Sequence, residues 1–221
     1  MKKLISASLL LAATVFAGTA SANLIVNGSF EDPAVGENTW IVAGSGITGW
    51  DVVSGAGIEI RNSAVGEAYA GENFIELDSD PSRGGTDNPT NTTITQTIQG
   101  LEAGLYELTW AYSPRINVNG GIDGGFTNGI VAVWNESSLA EASLVNTGDG
   151  GSVHDWVVYS LIVEASGTGL DTLSFAAFGD EDKLGGSLDD VKLSAVPLPA
   201  AVWLFGSALL GFVGFQKRKK A

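Results

Sequence analysis

The segment Leu105-Tyr106-Glu107-Leu108-Thr109-Trp110-Ala111-Tyr112 contains the pattern that decides the fold. In it the bulky rings of Trp110 and Tyr112 flank the small side chain of Ala111, as expected of a strand with one buried face. Similar short runs, rich in β-branched and aromatic residues, recur along the chain and are separated by Gly, Asn, Asp and Ser. They predict seven strands, at residues 73–77, 92–99, 105–112, 129–134, 156–163, 171–177 and 188–193.

The body of the chain, residues 23–195, is predicted to be one all-β domain. It has no long apolar pattern of period 3.6, no internal repeat and no linker that separates two cores. Turn residues recur about every ten positions, which favours an antiparallel sandwich over a parallel α/β sheet. The chain has no cysteine, but a body of about 170 residues can bury a sufficient core without disulfides. We therefore expect a single β-sandwich.

Negative charge is concentrated in this body. The chain has a formal net charge of −14, and all 25 acidic residues lie between Glu31 and Asp190. Six of the 11 basic residues lie at the two ends, so residues 23–196 hold five basic and 25 acidic residues, a net charge of −20. Such a body repels phosphate backbones, so no nucleic acid partner is expected. The charge suits either cation binding or solubility outside the cell.

The N-terminus carries an export signal. Met1-Lys2-Lys3 is followed by an apolar run over residues 4–16 and by the small residues Ala20-Ser21-Ala22. A positive start, a short apolar stretch and an Ala-x-Ala site are the three parts of a cleavable signal peptide. Residues 1–22 are therefore predicted to be removed during secretion, which leaves Asn23 as the first mature residue.

The C-terminal segment, residues 196–221, has the composition of a membrane-sorting tail. Residues 198–215 are 18 positions without a charge, about the minimum for a transmembrane helix, and the basic cluster after them is expected to stay in the cytoplasm. The run Val196-Pro197-Leu198-Pro199-Ala200-Ala201-Val202-Trp203, with that basic end, resembles the PEP-CTERM sorting signal, with Pro-Leu-Pro in place of the usual Pro-Glu-Pro. The resemblance implies processing of the tail by exosortase, a membrane-embedded protease-transpeptidase, and display on the surface of a Gram-negative bacterium.

Two segments at the ends of the body resemble the opening and closing strands of galactose-binding-like jelly rolls, a group that includes many carbohydrate-binding modules. They are Asn23-Leu24-Ile25-Val26-Asn27-Gly28-Ser29-Phe30-Glu31 and Gly186-Ser187-Leu188-Asp189-Asp190-Val191-Lys192-Leu193. Between them, stretches such as Phe74-Ile75-Glu76-Leu77-Asp78 follow the layout of DUF642-like domains. The resemblance implies that the sandwich is a jelly roll.

The same resemblance implies a structural calcium ion held by Glu31 and Asp189, with backbone carbonyls completing its shell. Calcium prefers six to eight hard oxygen ligands, which a body rich in Asp, Glu and Asn can supply. Strand parity puts Asp189 on the same face as Val191 and Leu193. The alternative is that Glu31 merely ends a strand and Asp189 begins a turn. A second acidic set has no evident partners in the sequence and is expected to be solvated: Glu76, Asp78 and Asp80.

Aromatic residues are numerous enough to suggest a sugar-binding platform, because a ring can pack against a pyranose while amides and carboxylates bind its hydroxyls. The candidates are Trp40, Trp50, Trp110, Trp134, Trp156 and Tyr112. Trp110 and Trp134 lie in predicted strands and are expected in the core, whereas Trp50 is expected at the surface. The predicted ligand-binding residues are Trp50, Tyr112 and Arg115, and a structural ion pair is the alternative role for Arg115.

Catalysis has little support in the sequence. His154, beside Asp155, is the only histidine, and no serine lies in the context of a nucleophile elbow. The predicted function is therefore non-catalytic binding of glycans or exopolysaccharide at the cell surface. Two alternatives remain: a structural or adhesive biofilm matrix protein in which calcium bridges acidic surfaces, and a glycan-active hydrolase with two carboxylates across a cleft.

Overall fold

The computed structural model describes residues 22–83, 89–116, 129–138, 144–145 and 151–196. The predicted signal peptide, apart from Ala22, and the sorting tail from residue 197 onward lie outside these ranges. No helix within them is long and apolar enough to cross a membrane. The transmembrane helix predicted at 198–215 lies outside the described part of the chain.

Within the described ranges the chain forms twelve strands and one short 3₁₀ helix, Pro81–Arg83. The strands are β1 (Thr39–Ala43), β2 (Asp51–Ser54), β3 (Ile58–Asn62), β4 (Asn73–Glu76), β5 (Thr93–Gln99), β6 (Gly104–Ser113), β7 (Gly129–Trp134), β8 (Ser137–Ser138), β9 (Leu144–Val145), β10 (Val157–Ala165), β11 (Leu170–Phe178) and β12 (Ser187–Ala195).

These strands form two antiparallel sheets. The first sheet has the order β1-β3-β4-β12-β6-β10, and the second has the order β2-β5-β11-β7-β8, with β9 also paired to β7. Along the sequence the chain passes repeatedly from one sheet to the other, as β4, β5 and β6 illustrate. The predicted all-β sandwich is confirmed, and this alternation is consistent with a jelly roll.

The hydrophobic core lies between the two sheets. Trp110 of β6 packs edge-on against Phe175 of β11, with the ring centroids 5.7 Å apart. Leu108 and Ile94 are also fully buried, one from each sheet. Trp110 and Trp134 are both buried, so the prediction that these two indoles pack in the core is confirmed. The sandwich therefore gives its loops a rigid support.

All seven predicted strands are present, as β4 to β7 and β10 to β12, with ends that differ from the prediction by at most two residues. Strands β1 to β3 and the two-residue strands β8 and β9 were not predicted. Strand β3 is the instructive case, because every one of its five residues is buried, including Glu59, Arg61 and Asn62. Its apolar residues Ile58 and Ile60 alternate with Glu59 and Arg61, but the run is only five residues long, and the burial of both charged residues is not visible in the sequence.

The predicted opening strand is instead a segment with a turn. Residues 26–29 form the turn, and the positive φ angles of Asn27 (51°) and Phe30 (56°) interrupt an extended chain. The segment is fastened to β12, since the Val191 amide donates to the Gly28 carbonyl at 2.9 Å. A Cβ atom on Gly28 would lie 2.0 Å from the Val191 carbonyl oxygen, so only glycine permits this close approach.

A β-bulge in β12 overturns the predicted parity of the closing strand. Asp189 pairs with Ala111, and Leu193 pairs with Leu108, with a register shift between the two pairs. Asp190 within the bulge has a φ of 50°. Because paired residues share a face of the sheet, and Ala111 and Leu108 point to opposite faces of β6, Asp189 and Leu193 lie on opposite faces. The bulge therefore directs the Asp189 carboxylate away from the core side.

Candidate functional site

Trp50 does not lie at the surface. Its side chain is 2% exposed, and its ring centroid lies 5.6 Å from that of Phe30 and 6.2 Å from that of Phe175. The indole N–H donates to the Asn27 carbonyl at 3.2 Å. The expectation of an exposed ring is wrong, because the tight turn before β2 folds the indole into the core.

Tyr112 and Arg115 also have structural partners. Tyr112 is fully buried and packs edge-on against Tyr159, with the ring centroids 6.4 Å apart. Nη1 of Arg115 donates to both carboxylate oxygens of Glu76, at 2.7 and 2.9 Å. The structural ion pair considered for Arg115 is confirmed. The three predicted ligand-binding residues do not meet at a surface, because Trp50 and Tyr112 belong to the core.

Glu31 and Asp189 hold the same loop, residues 69–73. Oε1 of Glu31 accepts two amide hydrogens from the C-terminal part of the loop, at 2.9 and 3.0 Å. Oδ2 of Asp189 accepts two from its N-terminal part, at 2.8 and 2.9 Å. Glu31 and Asp189, the two residues that the resemblance suggests, therefore anchor opposite ends of the same loop.

The oxygens of this pair are already engaged by amides. Besides the four bonds to the loop, Oδ1 of Asp189 accepts the Asp190 amide at 2.6 Å, so three of the four carboxylate oxygens have donors. Burial raises the pKa of Asp189 to about 7, although these amides oppose the rise. No group of three or more His, Cys, Asp or Glu suited to a metal occurs among the described residues. Calcium held by Glu31 and Asp189, with backbone carbonyls completing its shell, stays a prediction.

A buried ion cluster lies in the middle of the first sheet. Glu59 of β3 pairs with Glu76 of β4, and Nη2 of Arg61 bridges them, with its distance to Oε2 of Glu76 at 3.0 Å. All three side chains are almost inaccessible. Glu59 and Glu76 are buried neighbours on one face of the sheet and do not face each other across a cleft, so this pair does not meet the requirement of the hydrolase alternative.

The expectation that Glu76, Asp78 and Asp80 are solvated is wrong for the first two. Glu76 and Asp78 are fully buried, whereas Asp80 remains partly exposed. Glu76 forms ion pairs with Arg61 of β3 and with Arg115, which follows β6, and the Asp78 carboxylate accepts amides of the loop before β12. Those partners are distant in the sequence, which is why this acidic set had no evident partners in the sequence.

An aromatic groove lies between loop 66–72 and the segment that precedes β10. The half-buried Trp156 and Tyr69, which is 44% exposed, meet edge-to-face with centroids 6.1 Å apart. Trp156 also packs edge-on against the buried ring of Phe74 at 6.0 Å and against His154 at 4.8 Å. Its indole N–H donates to the Glu67 carbonyl at 3.0 Å. The groove therefore has a ring whose position is fixed from several sides.

The groove has polar neighbours. It encloses about 340 Å³ and is lined by Gly66, Glu67, Ala68, Ile116, Ser152, Val153, His154 and Trp156. Glu67 and Ala68 also line an acidic cleft of about 520 Å³, to which Glu37 and Glu72 contribute. Loop 66–72 thus has an aromatic groove on one side and carboxylates on the other. This combination of a ring face and hydrogen-bonding groups is typical of a small-molecule or sugar site.

His154 is held as a neutral imidazole at the floor of the groove. Nδ1 donates to the Glu67 carbonyl at 2.7 Å, and Nε2 then accepts the Ser187 hydroxyl hydrogen at 3.3 Å. Its ring meets Phe74 edge-to-face at 4.8 Å. Burial lowers the pKa of His154 from 6.5, and the positive charge of Arg61 lowers it further, against the carbonyl and carboxylate of Glu67.

This depressed pKa predicts an acid-sensitive contribution to stability. Above pH 6.5 the folded and unfolded states both hold neutral His154, and the contribution is constant. As the pH falls below 6.5, the unfolded chain takes up a proton before the folded chain does, so the free energy of unfolding decreases until the folded-state pKa is passed. We expect the difference in unfolding free energy between wild type and His154→Gln to favour the variant increasingly from pH 7.5 to pH 5.

Urea unfolding of both proteins at each pH measures this difference. The carboxylates with raised pKa, Glu76, Asp78 and Asp189, gain protons in both proteins, so their effect cancels in the comparison. A difference that does not change with pH would contradict the neutral, desolvated state of His154.

The sequence contained a partial signal for this groove. Trp156 was among the candidate aromatics, at the start of a predicted strand where a ring can lie at the sheet end. Tyr69 was missed, because it lies in a loop with no pattern. What brings the two rings together is the anchoring of loop 69–73 by Glu31 and Asp189, which only the folded chain shows.

Comparison with known proteins gives a general likeness only. No family model matches the chain, and no curated protein matches it. Similar solved structures include CBM35 from Paenibacillus barcinonensis, at 16% identity over 72% of this chain and 99% of that one, with a TM-score of 0.42. Another is TmCBM61 in complex with β-1,4-galactotriose, at 19% identity over 80% of this chain and 100% of that one, with a TM-score of 0.41. At TM-scores below 0.5 these likenesses assign neither a ligand nor residue roles here.

Proposed function

We propose that this chain is an exported, non-catalytic glycan-binding protein that binds polysaccharide in the aromatic groove. The single observation that carries the proposal is the fixed ring of Trp156, which lines the groove and contacts the exposed Tyr69 ring, beside a carboxylate-lined cleft. The apolar face of a pyranose can pack on the indole, and the polar groups of loop 66–72 can bind its hydroxyls. The groove volume lies near the lower end of the range of small-ligand sites, about 300–1,000 Å³.

The groove is well suited to binding a ligand because the positions of its aromatic side chains are fixed in the free protein. Trp156 is positioned by one hydrogen bond and by its contacts with Phe74 and His154. Loop 69–73, which carries Tyr69, is anchored by Glu31 and Asp189. A pre-organised site loses less conformational entropy on binding, and a larger share of the contact energy appears as affinity.

The proposed setting is the surface of a Gram-negative cell. The support comes from the sequence of the two ends: the signal peptide at 1–22, and the tail at 196–221 that resembles an exosortase substrate. In this proposal the tail holds the protein in the inner membrane until exosortase processes it. The acidic body then meets exopolysaccharide outside the cell.

Replacing Trp156 with Ala is expected to weaken polysaccharide binding about fivefold or more. The reason is the loss of the ring face, which contributes about 1–3 kcal/mol in an aromatic stacking site. Affinity electrophoresis of the full chain in gels that contain the host exopolysaccharide, or members of a polysaccharide panel, measures the loss as a shift toward free mobility. Tyr69→Ala is expected to weaken binding to a smaller extent.

Trp40→Ala is the matched control, because Trp40 is another half-buried indole, on β1, and stacks on Arg61 at 5.5 Å. It should keep wild-type retardation in the gel. Retardation that survives in Trp156→Ala but is lost in Trp40→Ala would move the site to β1 and overturn the proposal.

A structural or adhesive matrix role is favoured by a different feature. Strand β10 lies at the edge of the first sheet and exposes Val158 and Ile162. Exposed apolar residues on an edge strand favour pairing with another chain. In this second function the chain would contribute to the matrix by association rather than by binding sugar.

A further inference from the structure

Four buried oxygens without hydrogen-bond partners lie just beyond the end of β4. They are Oδ1 of Asp78, Oγ1 of Thr90, Oδ1 of Asn91 and Oδ2 of Asp182, and together they are called the Asp78 cluster. Asp78 is 0% exposed and Thr90 is 9% exposed. A buried acceptor without a donor costs free energy. The Thr90 hydroxyl can itself donate to the Asp78 carboxylate, but Oδ1 of Asn91 and Oδ2 of Asp182 still lack a donor. These remaining acceptors indicate that another group binds beside them.

The fold brings these oxygens together from three segments. Asp78 and Asn91 are antiparallel bridge partners, so their side chains emerge on the same face. The Thr90 hydroxyl and the Asp182 carboxylate both adjoin the Asp78 carboxylate and act on its pKa in opposite directions. The Asp78 cluster is thus a contiguous set of oxygens rather than four scattered ones.

The loop before β12 donates amide hydrogens to one oxygen of the Asp78 carboxylate and to one oxygen of the Asp182 carboxylate. Oδ2 of Asp78 accepts the amides of Asp182, Lys183 and Leu184, at 3.2, 2.7 and 3.1 Å. Oδ1 of Asp182 accepts the Leu184 amide at 3.1 Å. A Cβ atom on Gly185 would lie 2.7 Å from Cβ of Asp78, so the loop packs closely on this residue. Both carboxylates are therefore held in place with one oxygen available.

We propose that the Asp78 cluster binds a divalent cation of the calcium type. Two adjoining carboxylates repel each other unless a proton or a cation lies between them. The donors are two carboxylates, an amide carbonyl and a hydroxyl, all hard oxygens of the kind that calcium prefers, and backbone carbonyls and water would complete its shell. Calcium suits an all-protein oxygen set better than magnesium, which usually keeps several waters.

The neighbouring basic groups are engaged elsewhere. Nζ of Lys183 lies 3.1 Å from Oδ1 of Asp80, and Arg115 pairs with Glu76. Burial raises the pKa of Asp78 to about 6 in the chain without an ion, and the adjoining Asp182 raises it further. A bound cation would reverse this effect and would join residues 90–91 to the loop before β12. The proposal does not depend on the glycan function, and it places the ion away from Glu31 and Asp189.

Calorimetric titration of the chelator-treated full chain with CaCl₂ tests the proposal. We expect one saturable site and a rise in Tm with calcium, since a ligand of the folded state stabilises it by mass action. Asp182→Asn should weaken calcium binding at least tenfold, because it removes the charge while keeping the shape and the Oδ1 acceptor. Thr90→Val, which removes one neutral oxygen, should weaken it less and serves if Asp182→Asn unfolds.

Glu181→Gln is the matched control, because Glu181 is exposed in the same loop and the substitution removes the same charge. It should bind calcium within twofold of wild type. Absence of saturable binding by the wild-type chain would overturn the proposal. So would wild-type affinity in both Asp182→Asn and Thr90→Val, or loss of the site in Glu31→Gln with affinity kept in Asp182→Asn, which would place the ion at the other pair.

Discussion

Arg61→Met is expected to lower the free energy of unfolding by about 3–5 kcal/mol, the usual cost of removing one partner from a buried ion pair. Arg61 bridges Glu59 and Glu76 inside the first sheet, and its side chain is 2% exposed. Without it, two adjacent carboxylates remain buried, with only Arg115 left beside Glu76. Burial already raises the pKa of Glu76, so this group can take up a proton, which limits the cost.

Chemical unfolding of the full chain at neutral pH measures this loss. Lys192→Met is the matched control, because it removes the same charge from an exposed ion pair with Asp190. Exposed pairs contribute about 0–1 kcal/mol, so the control should remain close to wild type. Equal losses in the two variants would show that the buried cluster does not hold the sheet in the way described.

The second large effect is expected for Trp50→Ala, which should destabilise the fold by about 3–5 kcal/mol, as usual for a large aromatic residue removed from a core. Trp50 connects the first turn of the chain to the second sheet through Phe30 and Phe175. Its indole also satisfies the Asn27 carbonyl. Thermal unfolding, followed by near-ultraviolet circular dichroism, measures the decrease.

Trp50→Phe separates packing from any role in binding. It should recover part of the stability, because a ring still fills the site, and it should leave polysaccharide binding unchanged. A stable Trp50→Ala protein that has lost polysaccharide binding would restore Trp50 as a surface ligand residue, contrary to its burial.

The strands could be predicted where burial follows residue type. In β6, from Tyr106 to Tyr112, the inward side chains are apolar and the outward ones small or polar, so the period of two is visible in the sequence. In β3 the buried residues include Glu59 and Arg61, whose partners come from the same sheet. A buried position can hold a charged residue only when a partner of opposite charge lies beside it. The sequence does not show which residue that partner is.

The site was harder to predict for two physical reasons. The bulge at Asp190 reverses the face of Asp189, and a single extra residue of this kind leaves little trace in a pattern of period two. Trp50 was expected at the surface, but the turn before β2 folds its ring into the core. The resemblance suggested Glu31 and Asp189 as calcium ligands. The structure shows that both anchor loop 69–73, and their role as ligands stays a prediction.

The measurement that tests the central claim most directly is calorimetric titration of the full chain with oligosaccharides from the polysaccharide that retards it in gels. The account predicts saturable binding that Trp156→Ala weakens and Trp50→Phe retains. Absence of saturable binding, or equal binding by wild type and Trp156→Ala, would contradict a glycan site in the aromatic groove. The exposed edge of β10 would then be the feature with which to explain the function.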